Sequence, residues 1–126
     1  MKRVLVCDDE QDILDIIEFV LADAGWEVFT TTHVNDILDQ VENSHPSVIL
    51  MDNWIPGTGG ITATKTIKSH PSFRGIPVVY ITANNDINHL ASEAGADYAL
   101  PKPFDLDLLE KVVEEAYLKR EEGMVQ

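Results

Sequence analysis

Short apolar runs alternate with segments of helical periodicity five times along the chain, and that alternation restricts the fold more than any other feature. A brief apolar or β-branched run closed by Gly, Pro or acids reads as a strand, and a continuous one suits a strand buried on both faces. Val4–Cys7, Trp26–Thr30, Val48–Met51, Ile76–Ile81 and Tyr98–Leu100 fit this reading. Between them, Ile13, Ile16, Ile17, Val20, Leu21 and Ala24 recur at helical spacing and stop at Gly25. Val34, Ile37, Leu38 and Val41 form a second helical face, ended near Asn43–Pro46, and Ile87, Leu90, Ala91 and Ala94 form another, stopped by Gly95. Ile61–Lys68 is a more dilute helical segment, because threonines lower its propensity. In the last segment Asp105 is positioned to cap a helix and Phe104 to pack on Leu109. Leu106, Leu109, Val112, Val113, Ala116 and Tyr117 supply its buried stripe, and Glu121–Gln126 is expected to fray. Strand and helix in strict alternation mean βαβ units: a doubly wound α/β domain with a five-stranded parallel sheet and five helices. Residues 1–126 read as one domain.

Charge narrows the function. The formal net charge is -13, which disfavours sequence-independent nucleic-acid binding, since that depends on Lys and Arg neutralising phosphates. It also disfavours an anionic membrane surface, and it suits a cation site or a basic partner. Cys7 has no partner for an internal disulfide and lies in an apolar run, as a small buried residue would. No stretch is long and apolar enough to span a bilayer. Acids arrive at Asp8, too early for a secretory leader, so a cytoplasmic location is expected.

In a doubly wound sheet the C-terminal strand ends share one edge, and ligands bind in the crevice there. Asp8 and Asp9, Asp52, Thr82 and Lys102 all fall at or just after such ends. Three carboxylates in one crevice repel, and unless a cation sits among them one should take up a proton. Oxygen donors with an open coordination sphere suit Mg²⁺. A lone lysine and a hydroxyl beside one carboxylate complete a set able to accept a phosphoryl group on Asp52. Each residue also has a plainer reading: Asp8-Asp9 as a solvated helix start, Thr82 as a turn residue, Lys102 as a surface lysine. Their conjunction on successive strand ends favours the chemical reading.

The same residues carry a resemblance. Asp8-Asp9 after the first strand, Asp52 followed by Ile55-Pro56-Gly57, Thr82-Ala83, and Lys102-Pro103-Phe104 resemble the receiver domain of two-component response regulators, end to end. The resemblance implies a flavodoxin-like strand order, 2-1-3-4-5, and a stand-alone phosphorylatable switch. It implies Asp52 as phosphoacceptor, taking its phosphoryl group from a histidine kinase or a histidine phosphotransfer protein. Asp9 is implied as a direct Mg²⁺ ligand and Asp8 as one acting mainly through water. Asp52 and the backbone carbonyl of Trp54 complete the set, with Mn²⁺ as a substitute ion. Thr82 is the implied switch hydroxyl, Ala83 the small residue leaving access, and Lys102 the phosphoryl-contacting lysine, with a cis bond to Pro103. A downstream effector protein would dock on the face around Ile87–Ala94, Tyr98–Leu100 and Leu106–Lys119.

Two positions depart from the family pattern. Ala99 stands where an aromatic is usual, and Tyr98, one place early, should point to the opposite face of its strand. Trp54 puts a bulky indole beside the phosphoacceptor, where it is expected to shield the acyl phosphate from water. The rival readings are a receiver-like interaction module regulated without phosphorylation and an aspartyl-phosphate phosphohydrolase. The second would want an acid where Trp54 stands.

Overall fold

The computed structural model describes residues 2–125, with side chains described through residue 121. The elements alternate without exception: β1 (Arg3–Cys7), α1 (Gln11–Asp23), β2 (Glu27–Thr31), α2 (Ile37–Ser44), β3 (Val48–Asp52), α3 (Gly60–Ser69), β4 (Val78–Thr82), α4 (Ile87–Ala94), β5 (Tyr98–Pro101) and α5 (Leu106–Val125). The strands form one sheet in the order β2-β1-β3-β4-β5, and every pairing is parallel.

The three central strands β1, β3 and β4 are buried on both faces, as continuous apolar strands require. On one side Ile49 and Met51 of β3 and Val78 and Tyr80 of β4 pack with Ile37 and Val41 of α2, Ala63 and Ile67 of α3, and Ala91 and Ala94 of α4. On the other, Val48, Leu50, Val79 and Ile81 pack with Leu14, Ile17 and Leu21 of α1 and Leu109, Val113 and Ala116 of α5. The alternation along β5 separates Ala99, against the α2–α3–α4 side, from Tyr98, against the α1–α5 side. Tyr98 therefore does point away from the face that position 99 serves.

Several boundaries differ from the sequence reading for identifiable reasons. Trp26 is buried, yet its N–H bonds the Leu21 carbonyl and closes α1, so β2 begins one residue later. Val34 is buried ahead of α2, held by an N–H bond to the Pro56 carbonyl rather than by helix. Ile76 and Pro77 precede β4, although the Pro77 carbonyl already accepts from Ile49. The dilute third segment is a full helix, because Ala63, Thr64 and Ile67 bury one face of it. Ile16 and Leu106 leave the predicted buried stripes and are 47% and 39% exposed. Asp105 does cap α5, its Oδ1 accepting from the Asp107 N–H at 2.8 Å. α5 is assigned to Val125, and Gln126 lies outside the described residues.

Candidate functional site

Parallel pairing brings four strand ends to one edge of the sheet. Cys7 pairs with Met51, Asp52 with Ile81 and Thr82 with Pro101, so the residues after these ends are neighbours. At the centre stands Lys102 Nζ, 2.8 Å from Asp8 Oδ2, 3.2 Å from Asp52 Oδ1 and 3.9 Å from Glu10 Oε1. Asp8 is buried and both its oxygens are used, since Oδ1 accepts the Glu10 N–H at 2.9 Å. Asp9 beside it is exposed. Asp8, Asp9 and Glu10 offer carboxylate oxygens within 4.8 Å of one another, and Asp52 joins them through the lysine.

This arrangement carries more negative charge than its one cation balances. Burial, and then the charge of Asp8, push the Asp52 carboxyl up to about 6, against the pull of Lys102. Burial alone would lower the Lys102 ammonium. Its hydrogen bond to Asp8 and the charges of Asp52 and Asp8 outweigh that, so its pKa is raised. An excess of anionic oxygen around a partly protonated carboxyl is what a hard divalent cation relieves. The donors are all oxygen, so the residues present fit Mg²⁺.

Thr82 is buried, and its Oγ1 accepts the Asn84 N–H at 3.1 Å. Its carbonyl accepts the Lys102 N–H at 3.0 Å, which fixes where the lysine leaves β5. Ala83 is exposed. The Lys102–Pro103 bond is cis, as the resemblance implied. Trp54 is 76% exposed, so its indole stands in solvent. Beside Lys102 an apolar groove of about 490 Å³ opens, lined by Ile13, Ile16, Ala83, Pro103, Phe104 and Leu106 among others.

Three contributors were not singled out from sequence. Glu10 reads with the two aspartates as an acid closing the first strand, but its sequence context assigned it no place in the site. Gly60 is required by close approach. A Cβ there would lie 2.3 Å from the Asp52 carbonyl oxygen and 3.0 Å from the Asn53 Cα, so only glycine lets α3 start against the end of β3. Tyr80 donates its hydroxyl to Asn53 Oδ1, a contact with no signature in the local pattern.

Known proteins resemble this chain in sequence and in fold. The family model described as the response regulator receiver domain matches residues 4–114. DNA-binding transcriptional regulator NtrC of Salmonella typhimurium is 37% identical over 116 residues, which are 90% of this chain and 24% of NtrC. The chain thus spans about a quarter of the length of that curated relative. Among solved structures, the receiver domain of NtrX from Brucella abortus superposes with a TM-score of 0.81 at 31% identity, over 90% of this chain and 97% of that one. Chemotaxis response regulator CheY4 of Vibrio cholerae gives 0.84 at 25% identity, over 92% and 98%. The chain belongs to the response regulator receiver domain family. It is therefore a signalling domain of the two-component type. Among the described residues no helix is long and apolar enough to cross a membrane.

Proposed function

We propose that this chain is a phosphorylatable switch in which Asp52 accepts a phosphoryl group from a histidine kinase or a histidine phosphotransfer protein. The observation that carries the proposal is the position of Asp52: a buried carboxylate 3.2 Å from the Lys102 ammonium, with Asp8 on the same ammonium. At pH 7 a carboxyl titrating near 6 is mostly ionised, so its oxygen is a nucleophile. The oxygen attacks phosphorus as the phosphorus–nitrogen bond to the donor imidazole breaks, and the imidazole recovers a proton from solvent. Lys102, already between Asp8 and Asp52, pairs with the incoming phosphoryl oxygens. The Thr82 hydroxyl uses an oxygen lone pair on Asn84, which leaves its hydrogen to donate to the phosphoryl group.

Asp8, Asp9, Asp52 and the Trp54 carbonyl are the proposed holders of Mg²⁺, with Mn²⁺ as a substitute. The ion supplies charge neutralisation for the transferred group. Ala83, small and exposed, leaves the approach open, and the apolar groove beside Lys102 offers the donor a surface to rest on. Signalling would proceed in the cytoplasm through contacts of an effector protein with α4, β5 and α5, by shift of a pre-existing equilibrium. No turnover of an external substrate is part of this reading. Nothing in it requires the DNA-binding function named for NtrC.

Incubation with acetyl phosphate and Mg²⁺ followed by intact-mass measurement tests the proposal. One added phosphoryl group, absent in Asp52→Asn, is the expected result. An adduct that persists in Asp52→Asn, or none from any small donor or histidine kinase, would reject it.

A further inference from the structure

Tyr80 is the bulkiest of the fully buried side chains. It lies two residues before Thr82 on β4, on the face of the sheet covered by α2, α3 and α4. Its register partner on β5 is Ala99, whose methyl leaves that face open, and Ala91 and Ala94 of α4 belong to the same packed cluster. A phenol in such a place needs a polar partner or forfeits a hydrogen bond in a dry interior. The partner is not a backbone group of the sheet. The hydroxyl donates to the side chain of Asn53, the residue that directly follows Asp52 and directly precedes Trp54.

Asn53 is held on two further sides. Its N–H bonds the Ile81 carbonyl at 2.9 Å, and its carbonyl accepts the Gly60 N–H at 3.2 Å. The Tyr80 bond is the one that holds the side chain. Burial first, then the charges of Asp52 and of Glu93 on α4, raise the phenol's pKa, so it stays protonated and remains a donor.

We propose that Tyr80 is a positioning residue: through Asn53 it fixes the Asp52–Trp54 segment to the sheet face beneath α4, and so sets both the reactivity of Asp52 and the affinity for Mg²⁺. This rests on the reading of Asp52 as phosphoacceptor. It assigns to an aromatic on β4 a connection between the site and the α4 side that position 99, an alanine, has no side chain to make.

The test is a double-mutant cycle with Tyr80→Phe, which keeps the ring and removes the donor, Asn53→Ala, which removes the acceptor, and the double variant. Mg²⁺ affinity by calorimetry and the rate of phosphorylation by acetyl phosphate are read on each, with melting temperature alongside. One lost hydrogen bond is expected to weaken Mg²⁺ binding and slow phosphorylation roughly three- to tenfold in each single variant, with the double variant no worse than either. Effects that simply multiply in the double variant overturn the proposal. So does a fall in melting temperature with both site measurements within twofold of wild type, since that describes a purely structural bond. Should Tyr80→Phe not fold, Asn53→Ala, which lies in the loop, decides the matter by the same site measurements. Failure of the phosphoacceptor reading appears separately, as absence of an adduct on the unaltered protein.

Discussion

Among the described residues two lysines pair with aspartates, and one of the pairings makes a site. Lys68 of α3 places Nζ 2.6 Å from Asp97 Oδ2 and donates to the carbonyls of Ile76 at 2.8 Å and Arg74 at 3.2 Å. Asp97 Oδ2 also accepts the Val78 N–H at 2.8 Å. One cation meets one carboxylate and neutral carbonyls, and the cluster ties α3 to the start of β4 and the turn before β5. Lys102 instead faces Asp8, Asp52 and Glu10. The geometry of the closest contacts is similar in the two places. What differs is the balance: the Lys68 cluster is neutral, whereas the Lys102 cluster keeps a surplus of anionic oxygen that raises the Asp52 carboxyl to about 6. A balanced pair holds elements together; an unbalanced one waits for a cation or an electrophile.

The sharpest way to break this contrast is to remove each lysine. Lys102→Met is expected to slow phosphorylation of Asp52 by about 10²-fold, the usual cost of losing one charge-stabilising donor at a reacting group. The Asp52 carboxyl should then titrate above its present value. Lys68→Met is expected to leave the phosphorylation rate within about twofold while lowering stability by about 1 kcal/mol, because a partly exposed pair and two carbonyl bonds, one exposed and one part-buried, are lost. Rates from intact mass and melting temperatures on both variants decide it. Equal rate losses would mean that the two clusters are not different in kind.

A second, smaller effect asks whether the site depends on backbone placement as well as on charge. Gly60→Ala brings a methyl into the Asp52 carbonyl and the Asn53 Cα, so the end of β3 or the start of α3 must shift. Phosphorylation is expected to fall at least about tenfold, since displacements on the order of 1 Å are costly at a reacting centre. Gly75→Ala, where an added Cβ meets nothing within 4 Å, is the matched control and should change neither rate nor stability. If the two glycine variants behave alike, Asp52 tolerates movement and the charge cluster alone defines the site.

The two lysines also show how far a sequence can be read. Lys102 was legible because it follows a strand end, and parallel topology puts all such ends on one edge; Asp8, Asp52 and Thr82 were legible for the same reason. The strand order and both helix layers followed from alternation and from the resemblance to receiver domains. Lys68 was not legible, because its partners, Asp97 and the carbonyls of Arg74 and Ile76, lie in connecting segments that no periodicity marks. Nor were Gly60 and Tyr80. A glycine needed for close approach looks like any loop glycine, and a tyrosine in an apolar strand looks like core until its hydroxyl is traced to Asn53. Element edges erred where buried residues such as Trp26, read into a strand, and Val34, read into a helix, belong to caps and loops, because burial and periodicity are separate properties.

The smallest expected effect concerns stability rather than reaction, and it tests the imbalance directly. The folded-state pKa of Asp52 lies near 6, above its ordinary 3.8, so the folded protein holds that proton more tightly than the unfolded chain does. The carboxyl's contribution to stability is therefore most favourable below about pH 4 and declines as pH rises through 6. Asp52→Asn removes this slope. At pH 7 without Mg²⁺ the variant should melt higher than the unaltered protein by roughly 4 °C, the shift that about 1 kcal/mol produces in a domain of this size. Mg²⁺ should raise the melting temperature of the unaltered protein and narrow the gap, because the ion binds the folded state. Asp97→Asn should do the reverse and melt lower at pH 7, since its carboxylate is matched by Lys68 and by the Val78 N–H. Should Asp52→Asn melt lower than the unaltered protein, Lys102 already balances the cluster, and the distinction between a pair that holds and a pair that waits fails at the residue on which it depends.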